Sequence, residues 1–202
     1  MAVGKVNTVV TIGSRTFSAQ TSLTADCDIG FHSALSAGNA GELTTRTSDS
    51  EGTVTMDSAD HGVSSSAVVD VFWTGGVRYG MTVGTVSGTS VPLTSSGAGD
   101  NLPAGSTELV VTPVTTINMD FDGDDMSLIA AQCDQRTHLN FKDSGGSSLE
   151  AVELTASEVW EWHTGSDDAN PLTGNAVDTI DVSNGTVTAS TLDIAVLYDS
   201  TS

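Results

Sequence analysis

Val68–Val83, VVDVFWTGGVRYGMTV, is the stretch whose reading decides the fold. Val69, Val71 and Trp73 fall at alternate positions, Thr74-Gly75-Gly76 interrupts, and Val77, Tyr79, Met81 and Val83 resume the alternation. Period two puts these side chains on one face of an extended chain, whereas a helix needs apolar residues every three to four positions. Glycine supplies the positive φ that a tight reversal demands. The stretch predicts a β-hairpin.

The same grammar extends outward. Upstream, Glu42 to Thr47 and Thr53 to Met56 bracket the polar turn Ser48 to Gly52, Lys5 to Gly13 reads as a strand, and Arg15 to Leu23 as its partner. Ala25 to Gly41 is less regular and admits a short helical turn. Downstream, Thr85 to Val91 reads as a strand around Gly88, and Leu109 to Val114 follows a loop punctuated by Gly97, Gly99 and Pro103. Beyond Pro113 and Thr115-Thr116 the pattern becomes more regular. Ile117 to Phe121, Ser127 to Gln132, Thr137 to Phe141, Leu149 to Leu154, Val159 to His163, Val177 to Val182, Gly185 to Thr188 and Leu192 to Tyr198 give eight short strands, which suit a jelly roll. Asn184-Gly185 is the strongest short hairpin signal among the turns. The expected fold is all-β: an N-terminal β-barrel or sandwich-like region over residues 1–115, then a C-terminal jelly-roll β-sandwich over 116–202.

Charge narrows the function. Six Lys and Arg stand against 26 acids, a net charge of -20. That balance repels a phosphate backbone and an anionic bilayer by the Coulomb term that drives counterion-release binding, so neither nucleic acid nor membrane is expected as a partner. Nineteen of the acids are Asp, a residue that turns accept and helix interiors disfavour. No run approaches the roughly 18 apolar residues of a membrane span. The opening MAVGKVNTVVTIGSRTF lacks an apolar signal core, so the chain is expected to fold where it is made. Cys27 and Cys133 have no CxxC spacing; buried thiols or one bridge between the halves are both open.

Several residue groups could carry chemistry. Asp120, Asp122, Asp124 and Asp125 cluster around Gly123 and supply the oxygen ligands that calcium favours, without the spacing of a complete EF-hand loop; a solvated turn is the competing reading. Trp160 and Trp162 share one face of a strand, as a sugar platform or as core aromatics. Glu158 and Glu161 are three apart in a strand and point to opposite faces, which disfavours a glycosidase pair. His32, His61, His138 and His163 are scattered, and no GxSxG or HExxH occurs. No catalytic residue and no cofactor other than calcium is expected.

The runs GELTTRTSDSEGTVTMDSADHGV, VVDVFWTGGVRYGMTVGTVSGTSVPL and GAGDNLP, with HLNFKDSGGSSLEAVEL, NPLTGNAV and VSNGTVTASTLDIAVLYDS after them, resemble structural proteins of tailed bacteriophages. The resemblance implies a capsid decoration or cement protein, present in many copies in a virion assembled in the host cytoplasm. Its implied partners are the major capsid protein or other virion subunits and further copies of itself, with a trimer favoured by analogy. The segment Val71 to Met81, through Val71, Trp73, Tyr79 and Met81, and the arm Ala2 to Val10 are the expected contact elements. Two other classes stay open: a carbohydrate- or receptor-binding module of a fibre or adhesin using Trp160, Trp162 or Trp73, and a neck or tail-tube component.

Overall fold

A computed structural model describes residues 9–12, 15–18, 27–94 and 98–199, with side chains from Ile29 onward. Its strands are β1 (Val9–Ile12), β2 (Arg15–Ser18), β3 (Cys27–Leu35), β4 (Asn39–Arg46), β5 (Gly52–Met56), β6 (Val68–Trp73), β7 (Gly76–Val83), β8 (Ser90–Thr94), β9 (Ala98–Gly99), β10 (Thr107–Pro113), β11 (Thr115–Asp122), β12 (Met126–Cys133), β13 (Thr137–Lys142), β14 (Ser148–Leu154), β15 (Val159–His163), β16 (Ala176–Asn184) and β17 (Ser190–Tyr198). One 3-10 turn, Gly123–Asp125, is the sole helical element among the described residues. The fold is all-β.

The chain forms two compact units. One takes the described residues up to Ala34 with Thr116–Asp181 and the chain from Thr191; the other takes Leu35–Thr115 with Val182–Ser190. Units change between Ala34 and Leu35 and again between Thr115 and Thr116. Each unit is discontinuous along the chain, because strand partners are chosen by burial and not by sequence order.

The second unit is a closed six-stranded antiparallel barrel in the order β4-β5-β8-β7-β6-β10, with β10 pairing back to β4 and β9 added beside β7. Alternation builds it. Leu43, Val54, Met56, Val69, Val71, Met81, Val83, Val91, Leu93, Leu109 and Val111 point inward and form one buried cluster, against which Trp73 packs. Each such side chain contributes about 1.5–3 kcal/mol of burial. Closure also removes the open edges that would template aggregation. The β6–β7 hairpin turns at Gly75, whose φ is +90°.

The expected strand from Thr85 to Val91 is corrected. Gly88 sits at φ +58°, Ser87 and Ser90 exchange backbone hydrogen bonds across it, and the strand begins at Ser90. A left-handed residue reverses an extended chain.

The other unit holds two four-stranded sheets, β15-β12-β17-β3 and β11-β16-β13-β14. Phe121 on β11 meets Tyr198 on β17 with ring centroids 6.2 Å apart, and Phe141 on β13 meets Trp160 on β15 at 5.6 Å. The two sheets therefore face each other across an aromatic-bearing core that includes Ile129, Leu139, Leu154, Ile180, Leu192 and Val196. The segment 170–175 is anchored on the 3-10 turn: Asn170 Nδ2 donates to Gly123 O at 2.7 Å, Gly123 N to Asn175 O at 2.8 Å, and Gly174 N to Asp124 Oδ1 at 2.7 Å. This holds Leu172 fully buried. A Cβ on Gly123 would lie 2.0 Å from Leu172 O, so only glycine permits the approach.

Two sequence expectations change here. Residues 27–35, read as irregular with a helical turn, form the nine-residue strand β3 at a sheet edge. Gly185 to Thr188, read as the seventh of the eight strands, is a connection between β16 and β17. Its place among the eight strands of the paired sheets is taken by β3. The Asn184-Gly185 turn is corrected with it: Gly185 does not occupy the left-handed region. Its missing side chain makes room for Phe72, whose Cδ1 would lie 2.7 Å from a Cβ there.

Candidate functional site

A cavity of about 320 Å³ in the barrel unit is bordered by Leu35, Asn39, His61, Thr112, Ser183 and Asn184. The outer surfaces of β6 and β10 and the segment 182–190 meet beside it. Asp70 and Phe72 project from β6 on the side opposite Val69 and Val71, yet both are buried, because that segment lies over them. Ser183 Oγ donates to Asp70 Oδ2, and Gly80 N donates to Asp70 Oδ1 at 2.7 Å. Thr112 Oγ1 donates to Asn184 O at 2.6 Å, and Gly38 N to Thr186 O at 2.8 Å.

Asn184 does most of the holding: Nδ2 donates to Ser36 O and Thr188 O, at 3.1 and 2.7 Å, while Oδ1 accepts from Thr186 N at 3.0 Å. His61 accepts from Val63 N on Nδ1 at 3.0 Å, which places its proton on Nε2, 3.2 Å from Gly88 O. The side chains of Thr112, Asn184 and His61 thus bond to main chain, and that of Ser183 to a carboxylate held by Gly80. In this geometry they fasten loops.

Two of the four aspartate side chains are used locally. Asp122 Oδ1 accepts from Asp124 N at 2.9 Å and caps the 3-10 turn, while Asp124 holds Gly174. Asp125 contributes its carbonyl to Asp199 N at 3.0 Å, and Asp120 is exposed on β11. Among the described residues no three His, Cys, Asp or Glu side chains converge as a metal site would require.

The expected contact residues divide. Val71 and Met81 have no exposed surface and lie inside the barrel, so the reading of them as interface is corrected: the alternation that marked them is that of the core. Trp73 and Tyr79 are half-buried. Of the arm Ala2 to Val10, residues 2–8 lie outside the described residues, and Val9 and Val10 begin β1.

Trp160 and Trp162 share a face of β15, and both are half-buried. Trp160 packs on Phe141, and the Trp162 indole N–H donates to Asp168 O at 3.0 Å. Glu161 is exposed on the opposite face. Glu158 accepts from the Thr155 hydroxyl at 2.6 Å and the Thr155 N–H at 3.1 Å, and these bonds hold its carboxyl below the usual range. His32 Nδ1 lies 2.5 Å from Asp193 Oδ1, and His163 Nδ1 lies 3.3 Å from Thr164 O. Cys133 is a free, buried thiol with its Sγ 2.6 Å from Gln135 O; burial pushes its pKa up. The side chain of Cys27 lies outside the described residues.

Sequence reasoning missed the Asp70–Ser183 contact and the docking of 182–190. The available signal was an acid within an otherwise apolar strand, Val-Val-Asp-Val-Phe, which needs a buried partner. In comparison with known proteins, no family model and no curated sequence matches the chain.

Proposed function

We propose that this chain is a non-enzymatic structural subunit of a tailed-bacteriophage virion, a decoration or cement protein that binds the shell exterior and stabilises it. In this reading the paired-sheet unit is a jelly roll. The observation that carries the reading is strand pairing. Numbering β3, β11, β12, β13, β14, β15, β16 and β17 from one to eight, the neighbours include one with eight, two with seven, three with six and four with five. Those nested pairs are what a single long hairpin makes when it is rolled into two facing sheets, the arrangement shared by capsid and lectin domains.

Charge and site chemistry favour a building block over a catalyst. The polar groups around the barrel cavity secure the fold, and a net charge of -20 keeps many free copies soluble before capture by a better-matched surface. The major capsid protein and further copies of this chain are the partners this role requires. The test is the mass and position of the chain in purified particles. Regular density on the shell exterior is the expected result. Density at fibre tips together with glycan retention would replace it with the receptor-binding reading, and absence from particles would remove the virion reading altogether.

A further inference from the structure

Residues 1–25 contain no acid and two of the chain's six basic residues, Lys5 and Arg15, so the remaining 177 residues carry a net charge of -22. Within this cationic stretch β1 and β2 form a hairpin, paired Val9 with Ser18 through Ile12 with Arg15. Among the described residues the hairpin joins no other sheet. Two strands of four residues are marginal alone, and a third strand is what makes such a ribbon stable.

The sandwich offers four edges, and three are guarded by charge: β11 by exposed Asp120 and Asp122, β14 by Glu153, β15 by Glu161. Inward-facing or exposed charge on an edge strand blocks the addition of another strand. β3 is guarded only at its start, where Asp28 is its one acid. From Ile29 to Leu35 it carries no acid, its His32 is engaged by Asp193, and Gly30 and Ala34 are small and exposed.

We infer that the β1–β2 hairpin of one copy adds to the free edge of β3 in a second copy, making a head-to-tail contact between identical chains. Eight residues, 19–26, connect the hairpin to β3, and such a connection spans at most about 26–29 Å. A four-stranded sheet is only about 15 Å wide at the usual strand spacing. The connection is therefore long enough to carry the hairpin beyond its own sheet. Opposite charge draws the cationic segment toward the acidic body of a neighbour, and main-chain pairing at β3 then fixes it by strand addition. This deepens the building-block reading and rests on it only for a supply of neighbouring copies; its failure would leave the particle test untouched.

The test uses full-length chains in sedimentation velocity. Gly30→Glu with Ala34→Glu puts charge on the edge, and Gly30 has open space where the new Cβ goes. Thr11→Pro with Phe17→Pro removes backbone donors from both hairpin strands. Wild type is expected to self-associate at micromolar concentration, and each variant to remain a folded monomer by circular dichroism, with association at least tenfold weaker. An equimolar mixture of the two variants should form a 1:1 dimer, because one retains the hairpin and the other the edge. If the edge pair unfolds, Ala34→Glu alone takes its place. A monomeric wild type, a variant that still associates alone, or a mixture that stays monomeric would overturn the inference; the last outcome would return the hairpin to its own body.

Discussion

Replacing Gly123 with alanine should loosen one end of the sandwich unit. The added methyl would sit 2.0 Å from Leu172 O and 2.7 Å from Leu172 C, both main-chain atoms that cannot swing aside like a side-chain tip. Relief requires the segment 170–175 to lift. That movement exposes Leu172 and weakens three hydrogen bonds, Asn170 to Gly123, Gly123 to Asn175 and Gly174 to Asp124. Loss of the leucine's burial costs about 2–3 kcal/mol, and each bond contributes about 1 kcal/mol net. Partial relaxation trims the sum to about 3–5 kcal/mol. With a urea slope of about 2 kcal/mol per molar, the unfolding midpoint should fall by about 2 M. Fluorescence from Trp160 and Trp162, both in this unit, reports the transition. Gly30→Ala is the control, since nothing lies near its Cβ position and its change should stay within about 0.5 kcal/mol. A Gly123→Ala midpoint equal to wild type would refute the close-packed anchoring argued here.

The other glycine contact predicts a parallel effect in the barrel unit: Gly185→Ala drives a methyl into the Phe72 ring and should cost about 1–3 kcal/mol, read as a lower calorimetric transition for that unit. Thr155→Val removes the hydroxyl that favours ionised Glu158, so the carboxyl should titrate at higher pH in NMR. The sign follows from the lowered pKa: the contribution of these bonds is present above the ordinary carboxylate range and disappears as pH falls through the folded-state value, and an unchanged titration in the variant would contradict it.

What the sequence disclosed was local. Val159 to His163 was legible to the residue, and Val69 to Val83 revealed both its strands and its turn, because alternating burial and a glycine reversal are properties of neighbours in the chain. Function was less visible for the same reason. The alternation that placed Val71 and Met81 on a common face is identical for a core and for a docking surface, and only the curvature that closes β10 on β4 turns that face inward. β3 escaped notice because CDIGFHSAL alternates weakly; its extended form comes from its place beside β17, with His32 and Asp193 separated by 161 residues. Asn184-Gly185 misled because glycine serves two purposes, and here a distant phenylalanine, not the local turn, requires it.

The interleaving of the two units bears on how the molecule reaches its native state. Between β3 and β11 stand the residues of the barrel, and closing a loop of about 80 residues costs about 2.5 kcal/mol more in chain entropy than closing one of about five. Leu35 and Thr115 border the same cavity, so a barrel already formed delivers its two ends side by side. Its early completion would shorten the effective connection and speed the later union of strands from opposite ends of the sequence.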